Sequence, residues 1–277
     1  MSRIISEQEK IEFSSTNKIG LLSTVGPDNM PHITLISSIS AKSEDELMWG
    51  EFTHGLSKIY IKDNPKTGFL IINEARVFWR GTADHYDTAV TGEDIEMYNN
   101  QPLFRYNSYL GIGVVHYMKL KNLLGGNKLP MKGIIKGALL GRLFKKSITP
   151  SLDGGTKLNH VAAGLANDIS SLKFLSYLDD NGYPVIVPVI QAAVRDGGRI
   201  FIPLTAFAEE LSKIAPGSKA ALYVCNLKLE SVLLQGVFCG IEKKSGIKAA
   251  IFDIEKVYNS MLPVVGYCTD EPYKLVH

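Results

Sequence analysis

The sequence predicts a mainly β protein of the α+β class, built from two tandem copies of one β-rich unit. The first observation behind this prediction is a repeated hairpin pattern. An apolar run, a turn and a second apolar run follow one another over 21–36 and again over 174–189, which is typical of a β-hairpin. A proline follows a serine by eight positions in both copies, Pro31 after Ser23 (31 − 23) and Pro184 after Ser176 (184 − 176).

The second observation is a tripeptide that recurs with a glycine at a fixed distance behind it. Leu56-Ser57-Lys58 recurs as Leu211-Ser212-Lys213. Gly81 lies 23 residues after Lys58 (81 − 58), and Gly236 lies 23 residues after Lys213 (236 − 213). Self-similarity at fixed spacing indicates an internal duplication. We therefore divide the chain into copy one over 1–123, a basic glycine-containing linker over 124–159 and copy two over 160–277.

Length and composition are those of a globular chain with about two domains. The chain has 277 residues, of which 45% are hydrophobic and 21% charged, values that exclude wholesale disorder. A net charge of +2 gives no general attraction to nucleic acid. No apolar run approaches the roughly 20 residues that span a bilayer. The polar, acidic start of the chain predicts no export signal, so we expect a cytoplasmic protein without a membrane span.

Cysteine and histidine spacing predicts no metal site. The three cysteines are Cys225, Cys239 and Cys268. None belongs to a C-x-x-C pair, so we expect buried free thiols in a reducing compartment. The histidines His54, His85, His116 and His160 also lack the spacing of metal ligands.

Both copies are predicted to share one element order. An amphipathic helix opens each copy, and in copy one Ser6 with Glu9 forms a capping box at its start. The predicted elements after the first hairpin are a strand over 47–52, a helix over 53–63, strands over 67–73 and 76–83, a helix over 92–100 and a closing strand over 109–123. In copy two they are a strand over 199–204, a helix over 205–214 and strands over 219–225 and 231–240. Segments 253–260 and 264–269 are expected in the places of the last helix and the closing strand.

The linker contains a predicted basic helix over 131–146. Gly133, Gly137 and Gly141 lie along one face of that helix. Eight basic residues and no acidic residue occur from 119 to 146. Three interpretations stay open: the helix lies on an anionic membrane surface, it guards a phosphate-bearing ligand, or it packs on the β-rich units with its lysines in water. The last is favoured.

The motifs of copy one resemble those of a known family. They are the run from Leu22 to His32, the strand end Met48-Trp49-Gly50-Glu51-Phe52, the helix start Gly55-Leu56-Ser57-Lys58, and Asn64-Pro65. Together they look like the pyridoxamine 5′-phosphate oxidase-like FMN-binding split β-barrels. The resemblance implies two tandem split β-barrels with short peripheral helices. Because such proteins usually form dimers, it also implies a pseudo-dimer within the chain, and a homodimer of the chain stays open.

The resemblance also implies which residues bind FMN. The strand after Pro31 would contact the flavin and its phosphate through His32 and Thr34, with backbone amides of His32, Ile33, Thr34 and Leu35 near the ring. Gly50, Glu51 and Phe52 would border the ring system. The short helix would bind the phosphate with its first amides, Ser57 and Lys58. Copy two has Val185 and Val187 in the places of His32 and Thr34, which predicts one competent site and one degenerate site.

The sequence thus predicts an FMN-dependent oxidoreductase, in which the flavin carries hydride or electrons. NAD(P)H or a small-molecule electron acceptor would be the second partner. The catalytic residues and the substrate are left unassigned. The alternative is a non-catalytic flavin- or haem-binding module in electron transfer, storage or sensing, with His32, His54 and His116 as axial candidates for haem.

Overall fold

The computed structural model describes residues 4–52, 55–101, 111–151, 157–228, 230–259 and 266–267. The chain divides into two compact units. Unit 1 consists of Met1–Asp28, His32–Leu129 and Asp179–Ile186. Unit 2 consists of Asn29–Pro31, Pro130–Leu178 and Val187–His277.

Copy one forms a seven-stranded sheet with short helices. Its described helices are α1 (Glu7–Ser14), α2 (Leu56–Asp63) and α3 (Glu93–Asn99). Its strands are β1 (Lys18–Val25), β2 (Pro31–Leu35), β3 (Ser40–Ala41), β4 (Glu46–Glu51), β5 (Lys66–Asn73), β6 (Val77–Ala89) and β7 (Val114–Lys128).

Copy two and the linker supply the remaining elements. Their described helices are α4 (Met131–Phe144), α5 (His160–Asn167) and α6 (Ala208–Ser212). Their strands are β8 (Leu172–Leu178), β9 (Pro184–Pro188), β10 (Ala193–Asp196), β11 (Arg199–Pro203), β12 (Lys219–Cys225), β13 (Ser231–Lys244), β14 (Ile247–Asn259) and the short β15 (Gly266–Tyr267).

Strand order shows the duplication directly. The first sheet runs β2-β1-β5-β6-β7-β4-β3. The second runs β9-β8-β12-β13-β14-β11-β10, with β15 added on β14. Replacing each strand of the first order by the strand seven places later gives the second order. Both sheets therefore have one topology, as expected for a duplicated β-rich unit, and the predicted mainly β, α+β fold class is confirmed.

Two glycines mark the same position in both sheets. A Cβ on Gly81 would lie 1.9 Å from the carbonyl oxygen of Asn122, and a Cβ on Gly236 would lie 1.9 Å from that of Asp253. Each glycine stands beside a register shift in the long strand, β6 in copy one and β13 in copy two. Only glycine allows the neighbouring backbone to approach this closely.

The predicted capping box opens α1. The Ser6 hydroxyl accepts from the Glu9 amide at 3.3 Å, and the Glu9 carboxylate accepts from the Ser6 amide at 3.0 Å. The same carboxylate accepts from the Trp79 indole N–H at 2.8 Å. A local sequence signal therefore also anchors the helix to the strand β6.

The end of copy two differs from its prediction. Residues 253–259 are part of β14, which pairs with β13 along its length, so they do not form the expected helix. Their apolar side chains Ile254, Val257 and Tyr258 have helical spacing, but pairing with β13 decides the conformation. The closing strand is β14 rather than 264–269, of which only 266–267 are described, as β15. The short strands β3 and β10 were not predicted.

The strand β7 extends into the segment that the sequence analysis assigns to the linker. β7 continues through Gly125 and Gly126 to Lys128, because Gly125 adopts a φ of 130° where a Cβ would lie 2.4 Å from the Phe78 carbonyl oxygen. The helix α4 then packs its glycine face within unit 2. A Cβ on Gly133 or on Gly137 would lie 2.3 Å from the carbonyl or hydroxyl oxygen of Thr205, respectively. The helix thus packs on copy two through its glycine face, and this packing leaves its basic outer face uncovered by the described residues.

The two described cysteines are free thiols. Cys225 is buried as expected, whereas Cys239 is exposed, and Cys268 lies outside the described residues. Burial raises the pKa of Cys225 to about 12 and that of Cys239 to about 11.

Among the described residues, no helix has the length and apolarity needed to cross a bilayer.

Candidate functional site

The strand β2 directs two polar side chains onto the helix α2. The His32 ring meets the Tyr60 ring edge-on, with centroids 5.5 Å apart. The Thr34 hydroxyl is hydrogen-bonded to the Ser57 hydroxyl. Ile33, between them, is buried in the hydrophobic interior. Strand alternation therefore brings His32 and Thr34 together on the helix, as the sequence predicts.

The start of α2 holds a buried lysine. Gly55 caps the helix without a side-chain hydrogen bond. Ser57 and Lys58 follow in the first turn and are 0% and 4% exposed. The Lys58 ammonium nitrogen lies 5.8 Å from the centroid of the Trp49 ring, a cation–π distance. Burial lowers the pKa of Lys58, and the nearby Glu51 carboxylate opposes that shift.

A hydrogen-bonded chain of two histidines and a carboxylate lies next to this lysine. His85 Nε2 and His116 Nδ1 are 3.1 Å apart, and His116 Nε2 lies 3.0 Å from the Glu51 carboxylate. The His116 ring stacks on Trp49 with centroids 3.8 Å apart and planes 6° from parallel. The β4–β7 register sets this contact, because it places Trp49 opposite His116.

Burial keeps both imidazoles neutral near pH 7. It lowers the pKa of His85 to about 4, helped by the neighbouring His116. It also lowers the pKa of His116, against the opposing effect of Glu51. A neutral His116 that donates from Nε2 to Glu51 has a bare Nδ1. We therefore assign His85 Nε2 as the donor to His116 Nδ1.

Gly50 and Phe52, which the resemblance also assigns to the site, lie away from Lys58. Gly50 has its backbone N–H and C=O bridged by the Ser38 hydroxyl, at 3.1 and 3.0 Å. A Cβ on Gly50 would lie 2.8 Å from the Ile112 side chain. Phe52 packs against the small cluster that contains Ile112. Gly50 and Phe52 thus lie on the face of β4 opposite Trp49 and Glu51, and His54 lies outside the described residues.

The corresponding lysine of copy two has a different environment. Lys58 lies in the first turn of α2, whereas Lys213 follows the last residue of α6. Ser212 and Lys213 are exposed. The shared tripeptide therefore marks a buried polar cluster in copy one and a solvated helix end in copy two.

Sequence reasoning does not bring Trp49, His85 and His116 together near Lys58, and it names His116 only as a candidate haem ligand. His116 and Glu51 lie 65 residues apart, and no local pattern joins them. No group of three or more histidine, cysteine, aspartate or glutamate side chains among the described residues could hold a metal ion. We name the set of Thr34, Glu51, Ser57, Lys58, His85, His116 and Trp49 the unit 1 polar cluster.

No family model and no curated protein matches this chain. Several solved structures are similar over a share of the chain close to one repeat. HupZ from Group A Streptococcus is 17% identical and covers 44% of this chain and 94% of its own, with a TM-score of 0.36. An FMN-binding protein from Syntrophomonas wolfei subsp. wolfei is 16% identical and covers 40% and 78%, with a TM-score of 0.34.

A FAD-binding protein from Mesorhizobium loti is 13% identical and covers 44% of this chain and 95% of its own, with a TM-score of 0.30. Each of these similarities extends over about one repeat of this chain.

Proposed function

We propose that copy one binds a flavin, FMN, with its phosphate at the start of α2, and that the protein is an FMN-dependent oxidoreductase. The observation that carries the proposal is the burial of Lys58 beside the Thr34–Ser57 hydroxyl pair. A buried ammonium is costly unless an anion lies near it. The first turn of a helix, two hydroxyls and a lysine are the groups that bind a phosphate dianion.

The residues at the start of α2 fit this group. Gly55 puts no side chain over the first amides of α2, which leaves room for an oxyanion there. Glu51, the nearby carboxylate, accepts a hydrogen bond from His116 at 3.0 Å, so Lys58 is not its only polar neighbour. His32 contributes a neutral imidazole, because burial and then Lys58 lower its pKa to about 4.

The strand β2 supplies further groups toward a flavin. β2 is an end strand of its sheet, so the backbone groups of every second residue are not used by the sheet. The Ile36 N–H donates to the Gly20 carbonyl of β1 at 2.8 Å. By alternation the amides of Ile33 and Leu35 point away from β1, where they are suited to hydrogen-bond the flavin ring. When bound, the flavin supplies the redox chemistry, and the protein supplies binding and orientation.

The first experiment measures flavin binding by the purified full chain. FMN affinity and stoichiometry follow from fluorescence quenching, with riboflavin, which lacks the phosphate, as the matched ligand. We expect FMN to bind more tightly than riboflavin. Lys58→Ala should reduce that preference by one to two decades, about 1.5–3 kcal/mol, while Lys213→Ala should leave it unchanged. A purified protein that has no flavin absorbance and does not bind added FMN would contradict the proposal.

A second experiment separates an enzyme from a non-catalytic flavin protein. Steady NAD(P)H consumption by the FMN-loaded protein, with a small-molecule electron acceptor present, supports the oxidoreductase. Its absence with several acceptors supports storage, sensing or electron transfer instead. Of the candidate haem ligands, His116 is poorly suited, since both of its ring nitrogens are already hydrogen-bonded.

A further inference from the structure

Helix α4 buries one face in unit 2 and exposes an apolar stripe on the opposite face. Ile135, Leu139 and Leu143 are 51%, 53% and 75% exposed. Side chains four residues apart lie on one face of a helix, so the three form a continuous stripe. The tight contacts of Gly133 and Gly137 with Thr205 fix the rotation of the helix and keep the stripe turned outward.

Basic side chains lie around this stripe, and the surrounding segment of the sequence contains no acidic residue. Lys132, Lys136 and Arg142 are exposed on α4, and Lys146 is exposed just behind it. The chain has no aspartate or glutamate from 119 to 152. Within the part of the chain that the structure describes, none of these four cations forms a salt bridge. Their charge is therefore available to an anionic partner.

A cleft of about 520 Å³ beside α4 adds further positive charge. Lys136 lines it from the helix, and Lys243 and Lys248 line it from β13 and β14. Ile241, 44% exposed, adds an apolar wall. Among the residues that the structure describes, no acidic side chain lines the cleft. Glu242 alternates to the other face of β13, where its carboxylate accepts from the Thr149 hydroxyl at 2.6 Å.

We propose that the outer face of α4 and the lysine-lined cleft form a docking surface for an anionic lipid bilayer. The apolar stripe enters the interfacial region, and the cations contact lipid phosphates. A second copy of the chain fits this surface poorly, because two such faces would oppose like charges. The helix is 14 residues long, which suits a helix lying on the interface and is too short to span it.

The test is co-sedimentation of the full chain with lipid vesicles. One set contains phosphatidylcholine alone, and the other contains phosphatidylcholine and phosphatidylserine at about seven to three. We expect binding to the anionic vesicles alone, weakened by salt. Leu139→Ser with Leu143→Ser should abolish it, and Lys132→Gln or Lys136→Gln should weaken it about fivefold each. The side chains changed are exposed, so circular dichroism should show unchanged folding.

Matched controls come from another surface of unit 2. Val161 and Leu227 are 75% and 88% exposed, and Lys228 is exposed. Val161→Ser with Leu227→Ser, and Lys228→Gln, should leave vesicle binding unchanged. Equal binding to both vesicle types, no binding at all, or equal losses in the controls would overturn the proposal. A dimer of the unmodified chain that dissociates when Leu139→Ser and Leu143→Ser are introduced would also overturn it, because the stripe would then be a protein interface.

Discussion

Replacing Lys58 by methionine should separate flavin binding from protein stability. Lys58 is 4% exposed, and burial lowers its pKa while Glu51 opposes the shift. A lysine with a lowered pKa binds its proton more weakly in the folded protein than in the unfolded chain. Its charge therefore destabilises the fold at neutral pH, and that penalty disappears as the pH rises from the folded pKa toward the ordinary lysine value.

Methionine keeps an unbranched stem in the same space and removes the charge. We expect the free energy of unfolding of the flavin-free protein to be unchanged or to rise by about 1 kcal/mol. FMN affinity should fall by about 10- to 100-fold, because a charge-assisted contact to the phosphate is lost. Lys213→Met is the matched control, since Lys213 is exposed. It should change the unfolding free energy by no more than about 0.5 kcal/mol.

Two assays measure the two effects. Urea denaturation followed by tryptophan fluorescence gives the unfolding free energy, and quenching of flavin fluorescence gives the FMN dissociation constant. A Lys58→Met protein that loses stability as well as affinity would show that the lysine has a structural role. A variant that keeps full FMN affinity would show that the phosphate does not lie at the start of α2.

Three further predictions concern stability. Gly81→Ala and Gly236→Ala should each destabilise the protein in urea denaturation by more than about 1 kcal/mol, because a Cβ at either position would lie 1.9 Å from a backbone oxygen. Gly164→Ala is the control: a Cβ there would meet no described atom within 4 Å, and the change should stabilise α5 by up to about 1 kcal/mol. Burial lowers the pKa of His32 to about 4, so the unfolded chain binds a proton at this residue more readily than the folded protein does. The free energy of unfolding should therefore fall by about 3 kcal/mol as the pH falls from about 6.5 to 4. His32→Phe should remove that part of the pH dependence. Ser6→Ala should lower the thermal midpoint through a loss of about 1 kcal/mol at the α1 cap, and an unchanged midpoint would mean that the cap contributes nothing.

Local signals in the sequence predicted individual elements well. The capping box of Ser6 and Glu9 needs only residues three apart, and both of its hydrogen bonds form. The hairpin turns are encoded within about ten residues, and β1–β2 and β8–β9 are neighbours in their sheets. The same reasoning failed for 253–259, where helical spacing competes with a long partner strand. Pairing with β13 satisfies more backbone groups than a short helix could.

The candidate site was predicted in part for the same reason. Alternation along one strand places His32 and Thr34 on one face, and a short motif places Ser57 and Lys58 in one helical turn. The motif does not reveal burial, so the identical tripeptide at Lys213 looks equivalent in sequence while lying at an exposed helix end. The difference arises from where each helix begins, at Leu56 in one copy and at Ala208 in the other.

The sequence by itself determined that the chain is duplicated, that each copy is β-rich, and where its hairpins and all but one of its predicted helices lie, because these depend on spacing and on near neighbours. The tertiary structure alone decided which strands meet. The pairing of β4 with β7 stacks Trp49 on His116, and the pairing of β6 with β7 brings His85 to His116. The charge states of Lys58 and the two histidines follow from that packing, since desolvation depends on the whole set of surrounding side chains.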